Sequence, residues 1–286
     1  MSSYRPRWRS LLYVPVVSER FVAKAHERGA DAIILELEDG VAPSEKERAR
    51  GLVAEAAGRV GQAGADVLVR VNRPWRLAVR DLEASIGPDV RGLVLPKVDS
   101  AEHVLALAEI AASVEEERGL EPGHTVFFAR IEGPRGVLNA AGICAAHDRV
   151  VAVGLGSSDY TITTGMEAGG QGNAIASFLV VNAARAAGIV PLGLTGAIVG
   201  FSDLDAFRRS AQESRALGLR GAPCVHPSQV PILNEVFSRT AEELERARRV
   251  VEEYEQALVA GEGAITVDGE FVDIPFYEQA KRLLAE

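Results

Sequence analysis

Short apolar runs alternate with amphipathic stretches along most of the chain. Eight runs, at residues 10–14, 32–37, 67–71, 92–95, 126–131, 150–155, 189–194 and 222–225, are rich in large or β-branched apolar side chains. Continuous apolar runs of this length fit strands covered on both faces, as in a parallel sheet. Helical segments separate most neighbouring runs, which is βαβ alternation. Eight such units predict an α/β fold closed into a (β/α)8 TIM barrel over residues 1–235, within the size of one core. Ser44 with Glu47 and Thr240 with Glu243 have capping-box spacing, and Gly29, Gly119, Gly188 and Gly218 stand where helices should stop.

The pattern changes over residues 236–286. Leu244, Ala247, Val251, Tyr254 and Leu258 recur at helical spacing and predict a long amphipathic helix. Gly261 and Gly263 break it, and a β-like stretch at 264–272 and a last helix from Pro275 follow. This tail is expected to be a helical or lid extension that caps the barrel or packs on a neighbouring subunit.

Candidate chemistry sits at strand ends, where barrel enzymes keep their active sites. Glu132 follows the fifth strand and Asp159 the sixth. Two carboxylates, with the remaining positions left to water and ligand, suit Mg²⁺, which rarely takes an all-protein cage. Arg70 ends the third strand, where an unpaired guanidinium is costly, so it meets either a structural carboxylate or an anionic substrate. The second strand ends in Glu36, Glu38 and Asp39, and alternation sends Glu36 and Glu38 to one face and Leu37 to the other. These acids either pair with cations at the barrel mouth or orient metal-bound water. Lys97, after the fourth strand, is read as a structural ion pair in preference to a Schiff-base lysine. Gly156, Ser157 and Ser158 offer backbone N–H groups to an anion or form a plain tight turn. His226 reads as a hydrogen-bonded structural group.

The 286 residues carry a net charge of −9, which argues against a nucleic-acid or anionic-membrane partner. Two cysteines, Cys144 and Cys224, make no disulfide framework and lack zinc-type spacing. No apolar signal core follows Arg5, Arg7 and Arg9, because Pro15 interrupts the run at 11–17. A cytoplasmic protein is expected.

Several ordered motifs then carry a resemblance. Leu12-Tyr13-Val14-Pro15, Glu36-Leu37-Glu38-Asp39-Gly40-Val41, Val69-Arg70-Val71-Asn72, Leu95-Pro96-Lys97-Val98, Ile131-Glu132 with Arg135-Gly136-Val137-Leu138-Asn139, Gly156-Ser157-Ser158-Asp159 and His226-Pro227-Ser228-Gln229 recur in order. The chain thereby resembles the citrate lyase beta-subunit-like acyl-CoA lyases of the HpcH/HpaI aldolase family. The resemblance implies a (β/α)8 barrel assembled as a homotrimer or hexamer, Mg²⁺ held by Glu132 and Asp159, and substrate contact by Arg70. It also implies that Asp273, within Gly269-Glu270-Phe271-Val272-Asp273-Ile274-Pro275, acts as acid/base in a neighbour's site. The sequence departs from the family at Glu36, where Asp is usual, at Val16, where Gly is usual, at Gly133-Pro134, and in the seventh strand, which lacks an acid. The implied reaction is Mg²⁺-dependent cleavage or formation of a malyl-CoA- or citramalyl-CoA-like thioester, giving a 2-keto acid and acetyl-CoA. Thioester hydrolysis, a citrate lyase beta chain working on a carrier protein, and a non-catalytic binding subunit are the alternatives.

Overall fold

Short, nearly continuous apolar runs, buried on both faces, make the strands of an eight-stranded parallel sheet. The computed structural model describes residues 4–167, 171–196 and 203–285. In chain order the elements are β1 (Ser10–Pro15), α1 (Glu19–Ala25), β2 (Ala32–Glu36), α2 (Lys46–Val60), β3 (Asp66–Arg70), α3 (Trp75–Ser85), β4 (Gly92–Leu95), α4 (Ala101–Glu117) and β5 (Val126–Ile131). There follow α5 (Pro134–Leu138), α6 (Ala140–Cys144), β6 (Val150–Leu155), α7 (Ser157–Thr164), α8 (Gly172–Ala187), β7 (Val190–Pro191), α9 (Leu204–Leu217), β8 (Ala222–Cys224) and α10 (Val230–Val236). The chain then runs through α11 (Ala241–Val259), β9 (Ile265–Val267), β10 (Glu270–Val272) and α12 (Ile274–Ala285). Two compact units divide it, Met1–Phe237 and Ser238–Glu286.

In the first unit the strand order is β7-β6-β5-β4-β3-β2-β1-β8, all parallel, in a curled, TIM-barrel-like sheet. Two backbone bonds link the edge strands: Arg220 N–H donates to Pro191 O at 2.9 Å and Gly193 N–H to Gly221 O at 2.8 Å. Leu11, Ile34, Leu68, Val94, Phe128 and Ala152 fill the lumen as one cluster. Their alternates, among them Leu12, Ile33, Val69, Leu93, Phe127 and Val153, pack outward beneath the helices. Alternation at period two explains the partition. Below the lumen, Asp66 accepts hydrogen bonds from Tyr4 Oη and Trp8 Nε1. The functional end is thus the opposite one.

Seven strands fall within a residue or so of their expected positions, but the seventh shrinks from the six residues expected at 189–194 to the two of Val190–Pro191. Pro191 has no N–H to donate, and Gly193 turns away at φ 146°. The Ser44–Glu47 capping box does not form. Pro43–Glu45 makes a 3₁₀ turn instead, α2 begins at Lys46 without a side-chain cap, and Glu47 accepts from Arg50 Nη1 at 2.7 Å. α8 and α9 stop at left-handed Gly188 and Gly218 as expected.

The second unit is a helix, a two-stranded antiparallel hairpin and a helix. Thr240 and Glu243 form the expected capping box. The buried face of α11 is Ala247, Val250, Tyr254 and Ala257, so Leu258, expected on that face, is half exposed. Tyr254 stacks on Tyr277 with centroids 4.9 Å apart and donates to Gly263 O at 2.9 Å. No helix among the described residues is long and apolar enough to cross a membrane.

At the closing seam a Cβ on Gly221 would lie 1.9 Å from Trp8 O. Gly221→Ala should therefore cost about 1–3 kcal/mol or more, from overpacking against backbone that cannot yield. Urea unfolding measures it, and an unchanged midpoint would show that the seam can open at no cost.

Candidate active site

β5 carries Phe128, Arg130 and, one residue past its end, Glu132 on the lumen side. Glu132 is buried, and neither of its carboxylate oxygens has a hydrogen-bond partner. Two cations stand just beyond hydrogen-bond reach of Oε1, Arg70 Nη2 at 3.7 Å and Arg130 Nε at 3.9 Å. Burial pushes the Glu132 carboxyl up to about 7, against the pull of Arg130 and Arg70 and with repulsion from Glu38 and Asp159 added. The neighbouring strand makes room: a Cβ on Gly156 would stand 2.5 Å from Glu132 Cγ. Asp159 lies in the first turn of α7, partly buried, on the helix that opens directly after β6.

The other acids form a network around Arg70. Its guanidinium pairs with Glu36 at 3.2 Å, with Glu38 at shorter range and with Asp39 at 3.4 Å, and it lies 5.7 Å from the Tyr13 ring. Glu36 and Glu38 are buried on the lumen side, while Leu37 joins the outer core as expected. The turn is tightly held. Glu38 N–H donates to Glu36 Oε1, Lys46 Nζ donates to Leu37 O at 2.6 Å and to Glu38 O at 2.5 Å, and Asn72 Nδ2 donates to Leu37 O at 2.9 Å. Burial raises the Glu36 carboxyl above its usual range even though Arg70 opposes the shift.

Lys97 pairs with Glu38 at 2.5 Å and Asp39 at 3.5 Å, in the left-handed region at φ 51°. Burial pulls its pKa down, but Glu38, Glu132 and Asp39 outweigh that and leave it above the ordinary value. It is therefore a protonated ion-pair lysine at neutral pH. Of the Gly156–Ser158 expectation, one part is corrected. The Gly156 N–H is already given to Ile131 O at 2.7 Å, so it cannot serve an anion, and the residue's service is to clear space for Glu132. Ser157 Oγ donates to Gly196 O at 2.9 Å. Ser157 and Ser158 open α7, where a helix leaves its first amides without internal partners. His226 caps the turn at Pro227–Gln229 in a capping box with Gln229. Asp273 lies on the second unit immediately before α12, its Oδ1 buried and without a hydrogen-bond partner.

Would these residues hold Mg²⁺? A buried carboxylate with both oxygens free of donors, beside a second carboxylate, fits a hard cation that keeps water and ligand oxygens in its remaining positions. Among the described residues no group of three or more His, Cys, Asp or Glu is placed to cage a metal. A site of two carboxylates open to ligand is what remains.

Carboxylates and arginines gathered at the carboxyl ends of a parallel, TIM-barrel-like sheet define an enzyme of the barrel class. Residues 9–227 match the model of the HpcH/HpaI aldolase/citrate lyase family, and the chain belongs to that family. It is 32% identical over 279 residues to the citrate lyase subunit beta of Leuconostoc mesenteroides subsp. cremoris, covering 96% of this chain and 92% of that one. It is 33% identical to a (3S)-malyl-CoA thioesterase of Cereibacter sphaeroides, covering 98% and 94%. It is 30% identical to an L-malyl-CoA/beta-methylmalyl-CoA lyase of the same species, covering 95% and 91%. Among solved structures, CitE from Mycobacterium tuberculosis in complex with magnesium, acetoacetate and coenzyme A matches at a TM-score of 0.75 and 28% identity, over 99% of each chain. The chain is accordingly an enzyme of the carbon–carbon lyase type.

A large pH effect on folding should come from Glu132, with His103, which burial pulls down to about 4, acting in the opposite direction in wild type and variant alike. The folded pKa of Glu132, near 7, lies above the ordinary 4.5, so its contribution is fully present below about pH 4.5 and is lost as pH rises through 7. The loss is on the order of 3 kcal/mol in metal-free protein. Glu132→Gln should remove that slope, gaining stability relative to wild type at pH 8 but not at pH 4.5. Urea unfolding at the two pH values reads the difference, and an equal difference at both would show that Glu132 is not desolvated.

Proposed function

We propose that this enzyme cleaves, and in reverse forms, a carbon–carbon bond in an acyl-CoA of the malyl- or citramalyl-CoA kind, giving a 2-keto acid and acetyl-CoA with Mg²⁺ as cofactor. The observation that carries the reading is the Glu132 carboxylate, buried without a hydrogen-bond donor beside Asp159. Glu132 and Asp159 would hold Mg²⁺. When bound, the ion supplies Lewis-acid stabilisation of negative oxygen on the substrate. Its presence beside acetoacetate and coenzyme A in the Mycobacterium tuberculosis CitE structure supports the assignment.

Arg70 would stabilise charge on a reacting oxygen, a role supported by the way Glu36, Glu38 and Asp39 fix its guanidinium. Ser157 and Ser158 present first-turn amides of α7 to an anionic group. Glu36, Glu38, Asp39 and Lys97 support these groups through the network around Arg70. Asp273 would exchange a proton with the acetyl-CoA methyl carbon. In a homotrimer or hexamer that carboxylate would serve the barrel of a neighbouring subunit.

Hydrolysis of the same thioesters is the second reading, favoured by the 33% identity to a malyl-CoA thioesterase. It uses the same residues and differs in product. Purified protein with Mg²⁺ and malyl-, methylmalyl-, citramalyl- and citryl-CoA should release a 2-keto acid plus acetyl-CoA from at least one, identified by mass spectrometry. Free CoA with an intact hydroxy acid would favour the thioesterase, and turnover unaffected by chelation would overturn the metal reading.

Glu132→Ala and Asp159→Ala should each lower turnover by at least about 100-fold and weaken Mg²⁺ binding, because each removes a metal-binding carboxylate. Arg70→Lys should lower kcat by about 10-fold or more although charge is kept, since an ammonium cannot reproduce the planar fork. Wild-type kinetics with reduced thermal stability would make Arg70 purely structural.

A further inference from the structure

Tyr13 stands on the lumen side of β1, two residues beyond Leu11, while its neighbours Leu12 and Val14 face the outer core. It is partly buried, packed against the apolar lumen cluster, and the Arg70 guanidinium lies 5.7 Å from its ring. Its phenol feels the charged layer directly: Arg130, Arg70, Glu36 and Glu132 all act on it. Among the described residues its hydroxyl has no hydrogen-bond partner.

The ring explains the packing and the contact with Arg70, and a phenylalanine would supply both. The hydroxyl needs a separate explanation. A phenol tip over an apolar lumen is costly unless an oxygen meets its proton. Arg70 and Arg130 cannot accept that proton, since a guanidinium carries donors only. Burial raises the phenol above its ordinary range although Arg130 and Arg70 pull the other way, and Glu36 and Glu132 add to the rise. The hydroxyl therefore keeps its proton at neutral pH and remains a donor. Tyr13 and Arg70 share one corner of the lumen, so an anionic oxygen drawn to the guanidinium comes to the phenol as well.

We propose that Tyr13 is a further substrate-binding residue, whose hydroxyl donates a hydrogen bond to the anionic substrate oxygen held at Arg70. The inference rests on the role given to Arg70 in the metal-lyase reading and adds a second donor to the oxygen it stabilises.

Tyr13→Phe separates the two parts of the side chain, because it keeps the ring beside Arg70 and removes only the oxygen. Steady-state kinetics with Mg²⁺ are measured on whichever of malyl-, methylmalyl-, citramalyl- and citryl-CoA the wild type turns over fastest. The variant should lose about 10- to 100-fold in kcat/KM, the range of a hydrogen bond to a charged group. Its melting temperature should not fall, and its Mg²⁺ affinity by calorimetry should match wild type, because the hydroxyl has no protein partner to lose and the metal-binding carboxylates are untouched. Wild-type kcat/KM in Tyr13→Phe would overturn the proposal, leaving a hydroxyl that meets only solvent. A lower melting temperature or weaker Mg²⁺ binding alongside the loss would also overturn it, by making the hydroxyl a prop of the ligand-free site. If the wild type turns over none of the four thioesters, the metal-lyase reading itself fails and takes this inference with it.

Discussion

Glu132 is removed from water with no hydrogen bond to replace what it loses, and the arrangement of the barrel mouth follows from that cost. Desolvating a carboxylate costs several kcal/mol even after relaxation. Arg70 and Arg130 return part of it through attraction at 3.7 and 3.9 Å, distances at which neither spends a hydrogen bond on Oε1. Gly156 gives the side chain its space, because no larger residue there would clear Glu132 Cγ. Glu36 and Glu38 hold Arg70 in place, so its charge is available without drifting onto Glu132. A divalent cation is the partner that two bare carboxylate oxygens and an adjacent aspartate would accept.

The fold makes this possible by its polarity. Parallel strands send every C-terminal residue to the same end, so Glu36 and Glu38 meet Glu132 around Arg70, and Asp159 comes near enough to Glu132 to repel it. The lumen below is apolar, with Phe128, Leu68 and Ile34 beneath the charged layer. Charges above such a floor are poorly screened, which strengthens both the attraction between the acids and Arg70 and the repulsion among the acids. Tyr4, Trp8 and Asp66 occupy the other end.

Much of this was legible in the residues. Buried parallel strands are continuous apolar runs, so seven of the eight lie close to where the hydrophobic pattern puts them, and the acids fall at their ends by simple counting. The seventh failed because apolar character does not report whether a residue can donate, and Pro191 cannot. Ser44 and Glu47 have capping spacing, yet Pro43 tightened the turn and moved the helix start to Lys46. Gly156, Ser157 and Ser158 read as a short Gly/Ser turn, but Ser157 and Ser158 open α7, since serines are common at helix starts and the tertiary setting decides. Arg130 was missed altogether. In the run Val126–Ile131 it looked like one polar residue within an apolar strand, and only the structure shows it as a counter-charge 3.9 Å from Glu132.

The account turns on whether Glu132 and Asp159 hold a divalent cation, and direct localisation tests that most closely. Crystals grown with Mn²⁺ as a stand-in for Mg²⁺ should show one anomalous peak about 2.1–2.3 Å from an oxygen of each carboxylate, with water or ligand oxygens completing the shell. A peak elsewhere, or no peak and a Glu132 carboxyl that is protonated and hydrogen-bonded at pH 8, would contradict it.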